Sequence, residues 1–185
     1  MIIELLKNFI SFWKRYFDFD YSEAILIGAG IFLLLAFFMW RVRKSQGTRM
    51  AVREWICILI FSVYLTFLFG VTLFNRQSEG VRQLQLELLW SYKMTLLDRN
   101  WALGLQIIFN VIAFLPFGFL VPELFHRMQR FMCVIIAACL LSGFIEGIQL
   151  VFNCGLCELD DVMNNTIGAG IGYIVWWGCR KNESH

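Results

Sequence analysis

The chain has 185 residues, of which 59% are hydrophobic and 17% aromatic, and its mean hydropathy is +0.65. These values exclude an ordinary soluble domain and indicate an integral membrane protein, with membrane lipids as partners and no nucleic-acid partner expected. The formal net charge of +2 says little by itself, because in such a chain the distribution of charge decides orientation.

Residues 1–20 read as an amphipathic helix lying in the bilayer interface. Glu4, Lys7, Asn8, Ser11, Lys14, Arg15 and Asp18 recur at steps of three and four, opposite Ile2, Ile3, Leu6, Phe9, Phe12, Trp13 and Phe17. No unbroken apolar core follows a basic end, so this is not a signal peptide. Residues 21–185 read as one domain of five transmembrane helices.

Four windows carry no charge: Ala24 to Trp40, Trp55 to Phe74, Trp101 to Val121 and Val162 to Cys179. A fifth, Phe131 to Phe152, carries only Glu146. At about 1.5 Å per residue, each matches a hydrocarbon core of roughly 30 Å. The fold class is therefore all-α, a polytopic membrane protein. Arg41, Arg43, Lys44, Arg49 and Arg53 crowd the link between the first two spans and place it inside. Alternation then gives an N-out, C-in orientation.

The second half of the long link from Asn75 to Asn100 holds Leu84, Leu86, Leu88, Leu89, Trp90 and Tyr92. It is too apolar to be free in water, and is expected to fold back over the outer ends of the helices. In the third span, NVIAFLPFG contains Asn110, Pro116 and Gly118. Pro116 frees the carbonyl of Ile112, so a kink is expected.

In the fourth span Glu146, Gln149 and Asn153 follow at i, i+3 and i+7 on one face, with Gly143 and Gly147 beside them as places for a close backbone approach. Glu146 lies about 9 Å below the outer end, inside hydrocarbon. An ionised carboxylate there costs at least about 2.5–3.5 kcal/mol unless paired, hydrated or protonated. Arg76 and Arg99 are the cations on the correct side.

The fifth span opens with Asp160 and Asp161, either of which can cap its N-terminus. Asp161, Asn164, Asn165 and Gly168 then share a face, and the short link makes an antiparallel hairpin whose polar faces can meet. CGLC, with Cys154 and Cys157, can be a metal half-site, an external disulfide or unremarkable thiols. There is no second CxxC and no nearby His, so no metal or cofactor is expected. The ligand-binding candidates are Arg76, Asn110, Glu146, Gln149, Asp160, Asp161, Asn164 and Asn165.

NVIAFLPFGFLVP, GFIEGIQL and CELDDVMNNTIGAGIGY, in this order, resemble the VanZ-like family of bacterial membrane proteins, named for a teicoplanin-resistance protein. The resemblance covers residues 76–173. Its recurrent polar positions correspond to Asn110, Pro116, Gly118, Glu146, Gln149, Asp160, Asp161, Asn165 and Gly168. Where the family often has a Gly-Arg pair, this chain reads NCGLC, and LELLWSY lacks the family's upstream proline.

The resemblance implies a multi-pass protein of the bacterial cytoplasmic membrane associated with lowered susceptibility to teicoplanin or related lipoglycopeptides. Three functions remain open. One is recognition of a lipoglycopeptide antibiotic or lipid-linked cell-wall precursor in an outward polar pocket. Another is an enzyme acting on a lipid-linked substrate, with Glu146 and Asp160 or Asp161 as acid and base. The third is an assembly module whose polar knot is structural. Neither a nucleophile constellation nor a phosphate-cradling glycine loop accompanies the carboxylates, which weighs against catalysis, and the glycines of GAGIG at 168–172 lie within the fifth span, where close helix packing explains them better.

Overall fold

The computed structural model describes residues 21–74, 83–153 and 156–183. The expected interfacial helix over residues 1–20, Arg76 and Cys154 all lie outside the described residues. Among the described residues six α-helices follow one another: α1 (Tyr21–Ser45), α2 (Val52–Phe69), the short α3 (Trp90–Leu97), α4 (Trp101–Leu124), α5 (Phe131–Phe152) and α6 (Leu159–Glu183). A π-helical turn, Gly70–Phe74, extends α2, and a 3₁₀ turn, His126–Met128, links α4 to α5. Two short strands, β1 (Gln83–Gln85) and β2 (Leu156–Glu158), pair in parallel with Leu84 opposite Cys157.

Four of these helices are long and apolar enough to cross a membrane: Ala24–Ser45, Val52–Leu73, Trp101–Leu124 and Phe131–Phe152. α6 has 25 residues, but Asp160, Asp161, Asn164 and Asn165 at its head make it less apolar than the others. Lipid-facing character is plain on the outside of the bundle. Ile25, Leu34 and Leu140 are each about 70% exposed, which is unfavourable in water and harmless among acyl chains.

The helices close on local chemistry. α1 ends on Arg43 and Lys44, favourable at the negative end of its dipole. α2 begins where the Glu54 carboxylate accepts the Ala51 N–H at 2.9 Å, satisfying an orphan donor. α5 ends at Asn153, whose φ of 55° is the left-handed conformation that stops a helix. α4 runs without interruption through Pro116 and Pro122, and extends to Leu124 rather than Val121.

The tightest seam joins α4 and α6. A Cβ at Gly118 would lie 1.9 Å from the Ala169 carbonyl oxygen, one at Gly168 2.1 Å from that of Val111, and one at Gly172 2.1 Å from that of Leu115. The small residues of GAGIG thus let two backbones touch. Gly143 and Gly147 do not serve this purpose. Nothing lies within 4 Å of a Cβ built at either, so of the two close approaches expected only the one on α6 occurs.

Around the seam, Phe114, Val134, Ala138, Ile145 and Ala169 are fully or almost fully buried, and Phe114 packs on Phe117 with ring centroids 5.8 Å apart. The Tyr64 hydroxyl donates to the Ala113 carbonyl at 2.9 Å, anchoring α2 to α4. The bundle has two polar ends. Gln106 marks one on α4 and Glu123 the other, 17 residues and so roughly 25 Å apart.

Candidate functional site

At the Gln106 end, four carboxylates from three neighbouring segments are withdrawn from solvent. Glu146 on α5, Glu158 at the end of β2, and Asp160 and Asp161 at the head of α6 are all 5% exposed or less. Burying an acid without partners is costly, so the donors that surround them define the site.

Asp160 is held by the roof. The backbone N–H of Leu89 donates to its Oδ1 at 2.6 Å and that of Ser91 to its Oδ2 at 2.8 Å. Asp160, one of the two aspartates that could cap α6, thus caps the N-terminus of α3 from about seventy residues away. The reason is the loop: α3 brings free amides over α6, and a carboxylate is their best partner. Leu89 sits at φ 64°, a region unfavourable for a leucine, so this capping also holds a strained backbone.

Glu158 is shared between roof and wall. Its Oε2 accepts the Ser91 hydroxyl at 2.8 Å, its Oε1 the Gln106 carboxamide at 3.4 Å, and its own N–H donates to Glu146 Oε2 at 3.0 Å. The same Gln106 nitrogen lies 3.4 and 3.3 Å from the two oxygens of Asp161. One neutral amide therefore touches two acids. The Cys157 thiol is free and donates to the Glu146 carboxylate.

Burial, followed by the neighbouring charge of Glu146, pushes the Cys157 pKa up to about 11. Burial, with a contribution from Asp160, likewise raises the Tyr92 phenol above its ordinary range. The Tyr92 hydroxyl donates to Asn164 Oδ1 at 2.5 Å, a further tie from roof to α6.

The expected amides spread below the carboxylates. Gln149 donates to the Thr72 carbonyl at 2.9 Å, in the π-helical turn where the ladder of α2 is disrupted. Asn165 donates to the Ser142 hydroxyl at 2.8 Å, so the polar faces of α5 and α6 do meet. Asn110 lies one turn along α4 from Gln106. Its Nδ2, with Asn164 Nδ2, Gln149 Oε1, Asn165 Oδ1 and Asn153 Oδ1, is buried without a hydrogen-bond partner among the described residues. Arg99 is exposed and forms no ion pair among the described residues.

The sequence reading did not single out Gln106, Glu158 or Ser91, and it named Tyr92 only among the apolar residues of the roof. Gln106 carried a signal, a carboxamide in a charge-free span at i−4 from Asn110. Glu158 stood inside CELDD, but only its hold on Glu146 and Ser91 distinguishes it. The roof itself follows the expectation from Leu84 to Leu97. Leu84, Leu86, Leu88, Leu96 and Leu97 face outward while Ser91 is buried against the acids.

Chemically, this arrangement presents acceptor oxygens and unpaired amides beneath an apolar brim, a set suited to amines, amides and hydroxyls. Comparison with known proteins agrees with the placement of these residues in one unit. The VanZ/LLP1 family model matches residues 55–180. Protein VanZ of Enterococcus faecium is 36% identical over 70 residues, covering 36% of this chain and 41% of that protein. The chain thus matches less than half the length of this curated relative. No solved structure gives a significant match.

Proposed function

From a chain that belongs to the VanZ/LLP1 family, with several helices apolar enough to cross a membrane, we propose a recognition protein that lowers susceptibility to teicoplanin-type lipoglycopeptides. It does so by binding a lipid-anchored polar ligand, either the antibiotic or a lipid-linked cell-wall precursor, at the carboxylate cluster. In this reading α6 is a fifth span, the chain is N-out and C-in in the bacterial cytoplasmic membrane, and the cluster opens to the outside. The basic residues of the opposite end support that orientation.

The observation that carries the reading is the roofed cluster itself. Glu146, Glu158, Asp160 and Asp161 converge with Gln106 beneath a loop whose leucines face outward. The acids and carboxamides would take the amine, amide and sugar groups of the ligand, and Leu86, Leu88 and Leu96 its acyl part. Orphaned amide atoms on Asn110, Asn164 and Asn165 add donors and acceptors that the protein leaves unused among its described residues.

The test is susceptibility of a teicoplanin-sensitive strain expressing the wild type, Glu146→Gln or Asp161→Asn at equal membrane levels. Loss of protection by both variants, with thermal stability retained, is expected. Undiminished protection by both would overturn the reading.

A further inference from the structure

The opposite end of the bundle carries a second site of different chemistry, which does not depend on the carboxylate cluster. Between α2, α4 and α6 lies a cavity of about 560 Å³, and a neighbouring one of about 440 Å³ shares Arg43 and Arg49 with it. The larger contains four arginines, Arg43, Arg49, Arg53 and Arg180, against two glutamates, Glu54 and Glu123. Both glutamates are committed. Glu54 pairs with Arg43, and Glu123 takes Arg53 at 2.9 Å and the Trp176 indole N–H at 3.0 Å. Arg49 and Arg180 therefore bring charge that no carboxylate among the described residues balances.

Arg180 is also oriented, with its guanidinium over the Trp176 ring at 5.4 Å. A path of contacts runs from Arg53 through Glu123 and Trp176 to Arg180, and fixes one rim of the cavity. Below the rim the lining turns apolar at Ile60, Phe119 and Leu120. Ile60 is five residues along α2 from Trp55, where the charge-free stretch begins, so the cavity reaches about 8 Å into the apolar slab. A charged mouth over an apolar slot that opens between helices has the shape of an amphiphile.

We propose that this cavity binds an anionic glycerophospholipid, its phosphate between Arg49 and Arg180 and the start of an acyl chain against Ile60 and Phe119. Arginine suits a phosphate because its fork donates two parallel hydrogen bonds. Basic pockets between spans are well placed for such headgroups. A free phosphate would satisfy the mouth but leave the slot empty, so lipid is the ligand the whole cavity fits.

The test uses the purified full chain in a neutral detergent, titrated with phosphatidylglycerol, phosphatidylcholine or inorganic phosphate, and read by native mass spectrometry and thermal unfolding. Phosphatidylglycerol should bind and raise the unfolding temperature, while the other two do neither. The double variant Arg49→Ala/Arg180→Ala should weaken phosphatidylglycerol binding roughly 30-fold, from a contribution of roughly fivefold per cation near a headgroup.

Arg49→Ala alone lies in an exposed loop, where folding is insensitive, and should weaken binding roughly 5-fold. Arg127→Ala/Arg130→Ala removes the same charge at the same end but outside the cavity, and should leave binding unchanged. The proposal is overturned if the control pair loses as much as the cavity pair. It is also overturned if Arg49 and Arg180 are dispensable, or if inorganic phosphate or phosphatidylcholine binds as well as phosphatidylglycerol.

Discussion

The two ends of the bundle handle charge in opposite ways. At the Gln106 end, acids are buried and held by backbone amides, a hydroxyl, a thiol and a carboxamide. At the Glu123 end, the acids are paired with arginine side chains instead, Glu54 with Arg43 and Glu123 with Arg53, which is 66% exposed. The same helices reach both ends, so the difference lies in what covers them. Among the described residues, one end has a folded roof, β1 and α3, and the other has only the short links from α1 to α2 and from α4 to α5. A roof can supply N–H groups in fixed positions, whereas an open end must rely on long side chains screened by water.

That contrast should appear first as a difference in stability. Replacing Asp160 with Ala leaves the Leu89 and Ser91 amides without their acceptor, and two hydrogen bonds to a charged group are worth about 3–6 kcal/mol in all. Thermal unfolding of the purified protein should fall sharply, with the roof becoming susceptible to proteolysis near Leu89. A small effect would mean that the roof is not held by Asp160.

The seam that joins the ends comes next. Gly168→Ala would place a methyl group 2.1 Å from the Val111 carbonyl, and the helices must part. A loss of about 1–3 kcal/mol is expected in the same assay. At the open end, Arg53→Ala should cost no more than about 1 kcal/mol, because Arg53 itself is 66% exposed and Glu123 keeps the Trp176 indole N–H as a donor. An Arg53 effect equal to that of Asp160 would erase the distinction between the ends.

The smallest signature is in pH. Cys157 has its pKa raised from 9.0 to about 11, first by burial and then by Glu146. Such a thiol keeps its proton longer when folded. The stability it contributes is present below pH 9.0 and is lost as pH rises through about 11. In a chain whose other cysteines are replaced by serine, alkylation of Cys157 should follow this raised midpoint. Glu146→Gln should move it back toward 9.0, and an unchanged midpoint would separate the thiol from Glu146.

The main lines of this arrangement were legible in residue order because they depend on period and composition. Glu146 and Gln149 share a face at a spacing of three, GAGIG spells a packing seam, and the leucines after Leu84 announce a segment that cannot stay in water. Partner choice was less legible. Asp160 and Asp161 read alike as caps of their own helix, since nothing in their neighbourhood reveals that α3 delivers free amides to Asp160 from about seventy residues away.

The three-residue strands escape any periodic test, yet the pairing of Leu84 with Cys157 holds the roof against β2 and sets the Glu158 amide toward Glu146. Gly143 and Gly147 show the converse error. Small residues permit close approach, but which helix comes close is decided by the rest of the bundle.

The central claim is that the roofed carboxylates recognise a lipid-anchored polar ligand. Its most direct test is equilibrium binding of teicoplanin, deacylated teicoplanin and a lipid-linked cell-wall precursor to the purified protein, with Glu146→Gln and Asp161→Asn beside the wild type. We predict saturable binding of teicoplanin or the precursor, weaker binding once the acyl chain is removed, and at least a roughly tenfold loss in each folded variant, the worth of one charge-assisted hydrogen bond. Binding that is equally strong in both variants, or no binding of any of the three by the folded wild type, would contradict it.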